Sequence, residues 1–167
     1  MKSTNSLKRG LAYVRRLWRS GRYSRALARV DQLLKEWPDN VHLLTLRGNL
    51  IQLQETEKGP TLHDAKQALE RAVQLDEESP RALIELGHFL NAAEDDAAAG
   101  AKCFARAIRL SKRLLKDALL GQAKVLSELE RRPEALACLT EAYWLQSRDR
   151  KSVGAGDKEI LEQLEAL

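Results

Sequence analysis

The stretch "SPRALIELGHFL", Ser79 to Leu90, decides the fold. Ser79 is placed to cap a helix, Pro80 to occupy its first turn, and apolar residues follow at helical spacing. Gly87 then falls in the middle of that helix, where glycine costs about 1 kcal/mol relative to alanine. Such a loss is offset where a second backbone must approach closely and a side chain would hold it away. A helix packed tightly on a neighbour is therefore expected here, and the rest of the chain supplies the neighbours. Ala, Leu, Arg, Lys, Glu and Gln dominate the 167 residues, only four are proline, and β-branched runs are absent. The chain reads as almost wholly helical, with little or no sheet.

Four segments share one pattern of a small residue, an apolar residue four later and an apolar residue three after that. They are Ala26, Val30 and Leu33; Ala65, Leu69 and Ala72; Gly100, Phe104 and Ala107; and Ala135, Leu139 and Ala142. Each set is one stripe on a helix, and successive sets lie 39, 35 and 35 residues apart. A second helical stretch precedes each, over residues 7–20, 41–54, 80–93 and 116–129. Three of these hold a small residue at the matching place, namely Gly48, Gly87 and Ala123.

This arrangement resembles the tetratricopeptide repeat, whose period is about 34 residues. Leu86 and Gly87 match the family's leucine–glycine pair, Gly21 and Tyr23 of "SGRYSRA" its inter-helix turn, and Pro38 of "EWPDN" its closing proline. The first unit departs from the pattern, with Tyr13 and Val14 in place of the pair, and "AVQLDEES" has Glu77 where a proline is usual. The resemblance implies an all-α, right-handed α-solenoid of about four tetratricopeptide-like helix pairs plus a C-terminal capping helix. On this reading residues 1–6 are a flexible N-terminus. The repeat domain is 7–149, with units at about 7–40, 41–79, 80–115 and 116–149. Residues 150–155 are a linker, and "GDKEILEQLEAL", 156–167, is the cap, with Ile160, Leu161 and Leu164 against the preceding helix. The insertion "ETEKGPTLH" predicts a loop at 55–61, with Thr61 and Asp64 forming a capping box for the next helix.

Charge is unevenly spread. Residues 1–30 carry nine basic groups and no acid, although the whole chain has 28 basic and 24 acidic residues and a net charge of only +4. The remainder is therefore acidic on balance, and the positive excess belongs to the first unit. A second acid-free basic stretch runs from Lys102 to Lys116. No apolar run approaches the ~20 residues that span a bilayer. No apolar region follows Lys2, which argues against a secretory signal; an Arg- and Ser-rich transit peptide is a weaker alternative for residues 1–30. A cytoplasmic, reducing location, in a bacterial cell, is the expectation, with Cys103 and Cys138 as free thiols at equivalent positions of adjacent units.

Catalytic and cofactor signatures are missing: there is no phosphate-binding glycine loop, no dinucleotide fingerprint and no paired-cysteine or paired-histidine metal motif. His42, His63 and His88 are scattered, so no metal, cofactor or enzyme activity is expected. Function is placed instead on the exposed face of the first helices, which line the concave side of a solenoid. Helical spacing gives Lys8, Leu11, Arg15, Trp18 and Arg19 in the first unit, and His42, Thr45, Asn49 and Gln52 in the second. The third presents Arg81, Ile84, His88 and Asn91, and the fourth Asp117, Leu120, Lys124 and Ser127. The amides suit an extended peptide backbone, the arginines suit carboxylates, and Trp18 suits an anchoring role. Some family members clamp a chaperone's C-terminal carboxylate. The corresponding positions here are Leu11, Arg15, Leu46, Arg81 and Glu85, where Leu46 cannot bond and Glu85 repels, so that subclass is rejected. The expectation is a non-catalytic adaptor that binds a peptide or partner helix in the groove and favours acidic partners at its basic end. Nucleic-acid association through the basic helices, with Tyr13, Trp18 and Tyr23 to stack bases, is the alternative, and a chaperone for a secreted client is a third reading.

Overall fold

The computed structural model describes residues 4–54 and 59–147, which form seven α-helices with no strand among the described residues. They are α1 (Thr4–Arg19), α2 (Tyr23–Glu36), α3 (Val41–Gln52), α4 (Leu62–Leu75), α5 (Pro80–Ala93), α6 (Ala97–Glu128) and α7 (Arg132–Ser147). The fold is all-α and built of helix hairpins of the solenoid kind. Two compact units divide the chain, residues 1–107 and 108–167.

In the first unit α1 packs on α2, α2 on α3, α3 on α4 and α4 on α5, while α3 also reaches α5. The pairs run antiparallel: Gly10 meets Leu33, Gly48 meets Leu69 and Ala65, and Gly87 meets Cys103 and Phe104. The four-and-three stripe read from the sequence is the core. Ala26, Val30, Leu33, Ala65, Leu69 and Ala72 are each 0% exposed; the first five pack with Val14, Leu43, Leu50 and Phe89 from the first helices, and Ala72 packs with Leu44 and Ala82. Gly87 faces α6 closely. A Cβ there would sit 3.1 Å from the Phe104 ring and 3.2 Å from Cys103 Cβ, so only a bare backbone leaves that ring its place.

The first hairpin solves the same problem differently. Val14, at the place where the second and third units hold glycine, is fully buried. The close approach moves one helical turn back to Gly10, where a Cβ would lie 2.8 Å from Leu33 Cδ2. α1 begins at Thr4, within the stretch expected to be flexible.

Caps punctuate the helices as their residue types dictate. Asn40 accepts from Leu43 N–H at 3.0 Å to start α3, and Ser79 accepts from Ala82 N–H at 3.4 Å to start α5, with Pro80 in its first turn. Thr61 and Asp64 form the expected capping box: Thr61 N–H donates to Asp64 Oδ2 at 2.7 Å, and Asp64 N–H donates to Thr61 Oγ1. The bonds that Thr61 donates to Asp64 Oδ2, from its backbone N–H and then from its hydroxyl, hold the Asp64 carboxyl below its usual range. The cap therefore persists above that range and is lost as pH falls through the lowered value. Thr61→Ala is expected to lower Tm by about 2–4 °C near neutral pH, and calorimetry should show this difference shrinking on acidification below about pH 4. Residues 55–58 of the expected loop lie outside the described residues, as do the expected linker 150–155 and capping helix 156–167.

Hairpins are also riveted by charge. Arg47 of α3 donates through Nε to Asp31 of α2 at 2.9 Å and through Nη1 to the Asp64 carbonyl of α4 at 3.2 Å. Three of the turns within hairpins contain a left-handed residue: Gly21 (φ 69°) between α1 and α2, Asp95 (φ 54°) between α5 and α6, and Glu130 (φ 60°) between α6 and α7.

One expectation fails. The third unit's second helix and the fourth unit's first helix were read as separate, with a break near 115 and 116. They are a single 32-residue helix, α6. The physical reason lies in "LSKRLLKDALL", which offers no Gly, Pro or Asn to end one helix and start another. In the second unit, the end of α6 packs on α7 through Leu119 and Ala142, flanked by Leu120, Cys138 and Tyr143.

Candidate functional site

α1, α3 and α5 are the first helices of three successive hairpins. Their inner faces share one core, with Val14 and Leu17 from α1, Leu43 and Leu46 from α3, and Leu86 and Phe89 from α5. Each of the three helices also carries an exposed or half-buried residue beside a buried one. Arg15 follows Val14, His42 precedes Leu43, and Arg81 precedes Ala82.

His42 is half-buried, and the two charges acting on it are Arg81 of α5 and Arg15 of α1. Burial first, then Arg81, then Arg15 push the imidazole below the ordinary histidine value of 6.5. It is therefore neutral at pH 7. Unfolding restores its ordinary proton affinity, so at this position stability is full above 6.5 and declines as pH falls below it. Both arginines are exposed, and neither has a hydrogen bond or ion pair among the described residues. Arg47, the one Arg or Lys of α3, is occupied by the Asp31 carboxylate and the Asp64 carbonyl. The face thus carries two unneutralised guanidinium groups around a neutral imidazole.

Other expected residues fall into place around this group or away from it. Lys8 and Arg19 are exposed on α1. Leu11 and Trp18 are half-buried against the core, and Trp18 meets Tyr23 edge-on at 6.1 Å. Asn49 is half-buried with no hydrogen bond to another described residue, whereas Gln52 spends one N–H on the Gly48 carbonyl at 3.2 Å.

Thr45 does not line this face: it is 2% exposed and its hydroxyl donates to the Val41 carbonyl at 2.8 Å. A threonine in a helix satisfies itself in this way and is buried at the same spacing that exposes asparagine. His88 and Asn91 turn toward α6 rather than toward His42. His88 stands edge-on to Phe104 at 4.9 Å, and the Asn91 Cβ lies beside Gly100. A stripe at spacings of three and four drifts around a helix, and by the third turn of α5 it has reached the hairpin seam. Lys124 is exposed on the part of α6 that belongs to the second unit.

The second unit holds a surface that the sequence reading missed. A shallow trough of about 850 Å³ runs along α7, lined by Pro133, Leu136, Thr140 and Trp144 among others. Its signal was the run of apolar residues on the far side of "RRPEALACLTEAYWL", which the repeat pattern had not claimed. Cys103 and Cys138 are free, and burial pushes the Cys103 thiol up, away from reactivity. No group of three or more His, Cys, Asp or Glu suited to a metal occurs among the described residues. No helix there is long and apolar enough to cross a membrane.

Hairpins stacked so that their first helices share one face define a class of helical-repeat scaffold. Residues 11–54, from within α1 to just past α3, match the family model of the tetratricopeptide repeat. Two crystal structures of MamA resemble this chain. One aligns at 20% identity over 95% of this chain and 87% of that chain, with a TM-score of 0.51. The other aligns at 23% identity over 79% and 73%, with a TM-score of 0.48. No curated protein matches the sequence.

Proposed function

We propose that the protein is a non-catalytic adaptor that binds an acidic peptide or partner helix on the face formed by α1, α3 and α5. The repeat architecture supports a role in protein–protein interaction. The observation that carries the finer reading is the pair of arginines around His42. Arg15 and Arg81 are exposed and without an ion pair among the described residues, whereas Arg47 is paired with Asp31, Lys66 with Glu94, Arg71 with Asp39 and Arg106 with Glu77. Left unmatched, they attract carboxylates and offer each a forked pair of donors. Asn49 adds a free amide for a peptide backbone, and Lys8 and Arg19 extend the positive field along α1.

A fluorescent ten-residue glutamate peptide should bind the protein with an anisotropy change that a ten-residue serine peptide does not produce. Raising salt from about 0.05 to about 0.5 M should weaken it roughly tenfold or more, because exposed charges are screened. Equal affinity for the two peptides would refute the acidic-partner reading. Binding of the glutamate peptide supports this reading over nucleic-acid capture if a single-stranded oligonucleotide of the same charge binds more weakly.

A further inference from the structure

α6 carries an apolar line of which one part is covered and the rest is open. Gly100, Phe104 and Ala107 stand at intervals of four and three, and here the helix meets α5. Gly100 lies against the Gly87 carbonyl, and Phe104 against Gly87 and His88. The same rhythm continues along α6 through Ser111, Leu114, Ala118 and Val125. All four of these are exposed, Leu114 by 54% and Val125 by 53%, as is neighbouring Leu115 by 44%. The buried positions of this half of the helix, Leu119, Ala123 and Leu126, lie on another side, about a third of a turn away. The open line is thus continuous with a formed helix–helix seam, and from Leu114 to Val125 it runs for about 16 Å. We propose that it is covered by the acidic, amphipathic segment 157–167 of the same chain. The proposal concerns the second unit and does not depend on the face formed by α1, α3 and α5.

Reach, pattern and charge choose this occupant. Leu119 packs with Ala142, so Ser147, five residues further along the antiparallel α7, ends level with Leu114 of α6. Residues 148–156 can extend for about 30 Å, ample to cross a helix about 10 Å wide. Residues 157–167 make a helix about 16 Å long, the length of the open line. In "DKEILEQLEAL" Ile160, Leu161, Leu164 and Leu167 fall on one side of such a helix. The segment holds four acids and one lysine. From Arg109 to Lys124, α6 holds five bases, Arg109, Lys112, Arg113, Lys116 and Lys124, against Asp117 alone. Of these Arg109, Lys116 and Lys124 have no ion pair among the described residues. The rival positions are less suited. α7 holds Glu134 and Glu141 against Arg132, and Glu141 lines its trough, so that surface repels an acidic segment. A second copy laid α6 against α6 brings the same five bases together. The segment is therefore a salt-sensitive cover for α6, not a continuation of the hairpin stack over α7, where the repeat pattern alone puts it.

Disulfide trapping in the full chain tests this, with Cys103→Ser and Cys138→Ser removing the native thiols. Leu164→Cys is combined in turn with Ala118→Cys or Val125→Cys on the α6 line, and with Leu136→Cys or Thr140→Cys in the α7 trough. Under mild oxidation an intrachain bridge to one of the α6 positions should close about tenfold faster than a bridge to either α7 position. Raising salt to about 0.5 M should slow it several-fold. Faster closure on α7 overturns the proposal in favour of a cap on the hairpin stack, and a dominant bridge between chains overturns it in favour of a second copy. Hydrogen exchange on the wild-type chain gives a test that needs no variant. Amides of 160–167 should be protected at low salt and released at about 0.5 M salt, together with those of α6 around Leu114 and Ala118. Full exchange of 160–167 at low salt overturns the proposal even if the cysteine variants do not fold.

Discussion

Gly48→Leu is expected to abolish the cooperative thermal transition, with loss of the helical circular dichroism signal at temperatures where the wild type is folded. A Cβ at Gly48 would stand 2.5 Å from Leu69 Cγ, 2.8 Å from its Cδ2 and 3.1 Å from the Ala65 carbonyl oxygen. The first is the branch point of a fully buried side chain and the last is backbone, so neither can swing aside. Overpacking by a few methylenes costs about 1–3 kcal/mol or more. Leucine brings four carbons into a seam with no room for one, against a total stability of about 5–15 kcal/mol. Gly48→Ala grades the same effect: about 1 kcal/mol of helix propensity is gained, about 1–3 kcal/mol of packing is lost, and the net is destabilisation. Gly121→Ala is the control. It lies mid-helix in α6 with nothing within 4 Å of its would-be Cβ, so only the propensity gain operates and Tm should rise. A Gly48→Leu protein that melts normally would mean that α3 and α4 are not packed as described.

The second large effect concerns binding. Arg15→Glu combined with Arg81→Glu should weaken the glutamate peptide by about 100-fold or more while leaving the melting temperature near that of wild type. Two charge-assisted contacts at about 1.5–3 kcal/mol each are removed, at about 1.4 kcal/mol per tenfold of affinity. Two like charges are added in their place. Both side chains are exposed and hold no ion pair among the described residues, so folding loses nothing specific there. Arg131→Glu with Arg132→Glu makes the same change in net charge on the second unit, and there affinity should fall only by the loss of long-range attraction. Equal weakening by both pairs would place the binding surface elsewhere or reduce it to a general electrostatic effect.

The hairpins were legible in advance because each relied on a local signal. A small residue followed by apolar residues at four and three marks a buried stripe, and Ser79–Pro80 and Thr61–Asp64 mark helix starts; all are visible in short windows of the chain. Features that depend on a partner helix were not. Gly10 takes over from Val14 only because Leu33 lies opposite it. Arg47 looked like any charged helix residue, and its value comes from Asp31 and Asp64 on two other helices. For the candidate face, spacing alone places Arg15 and Arg81 on exposed sides of their helices and His42 on a half-buried one. It could not tell that Thr45 would be covered or that His88 and Asn91 would be claimed by α6, since that depends on how far each neighbouring helix overlaps. The continuity of α6 was missed for a different reason. The repeat period suggested a turn there, and the residues themselves supplied none.

The left-handed residues at Asp95 and Glu130 lie 35 positions apart, the same interval as the apolar stripe. Each closes its hairpin with a side chain where Gly21 does so with none, at a cost of about 1–2 kcal/mol in backbone energy. Part of that is returned because a non-glycine residue restricts the unfolded chain, by about 0.4–1 kcal/mol. The duplication is therefore written twice in this molecule, once in apolar letters and once in torsion angles. The second record survives at corners where the amino-acid alphabet no longer shows it, so a search for further units of this kind in other chains does better to follow the sign of φ than the presence of glycine.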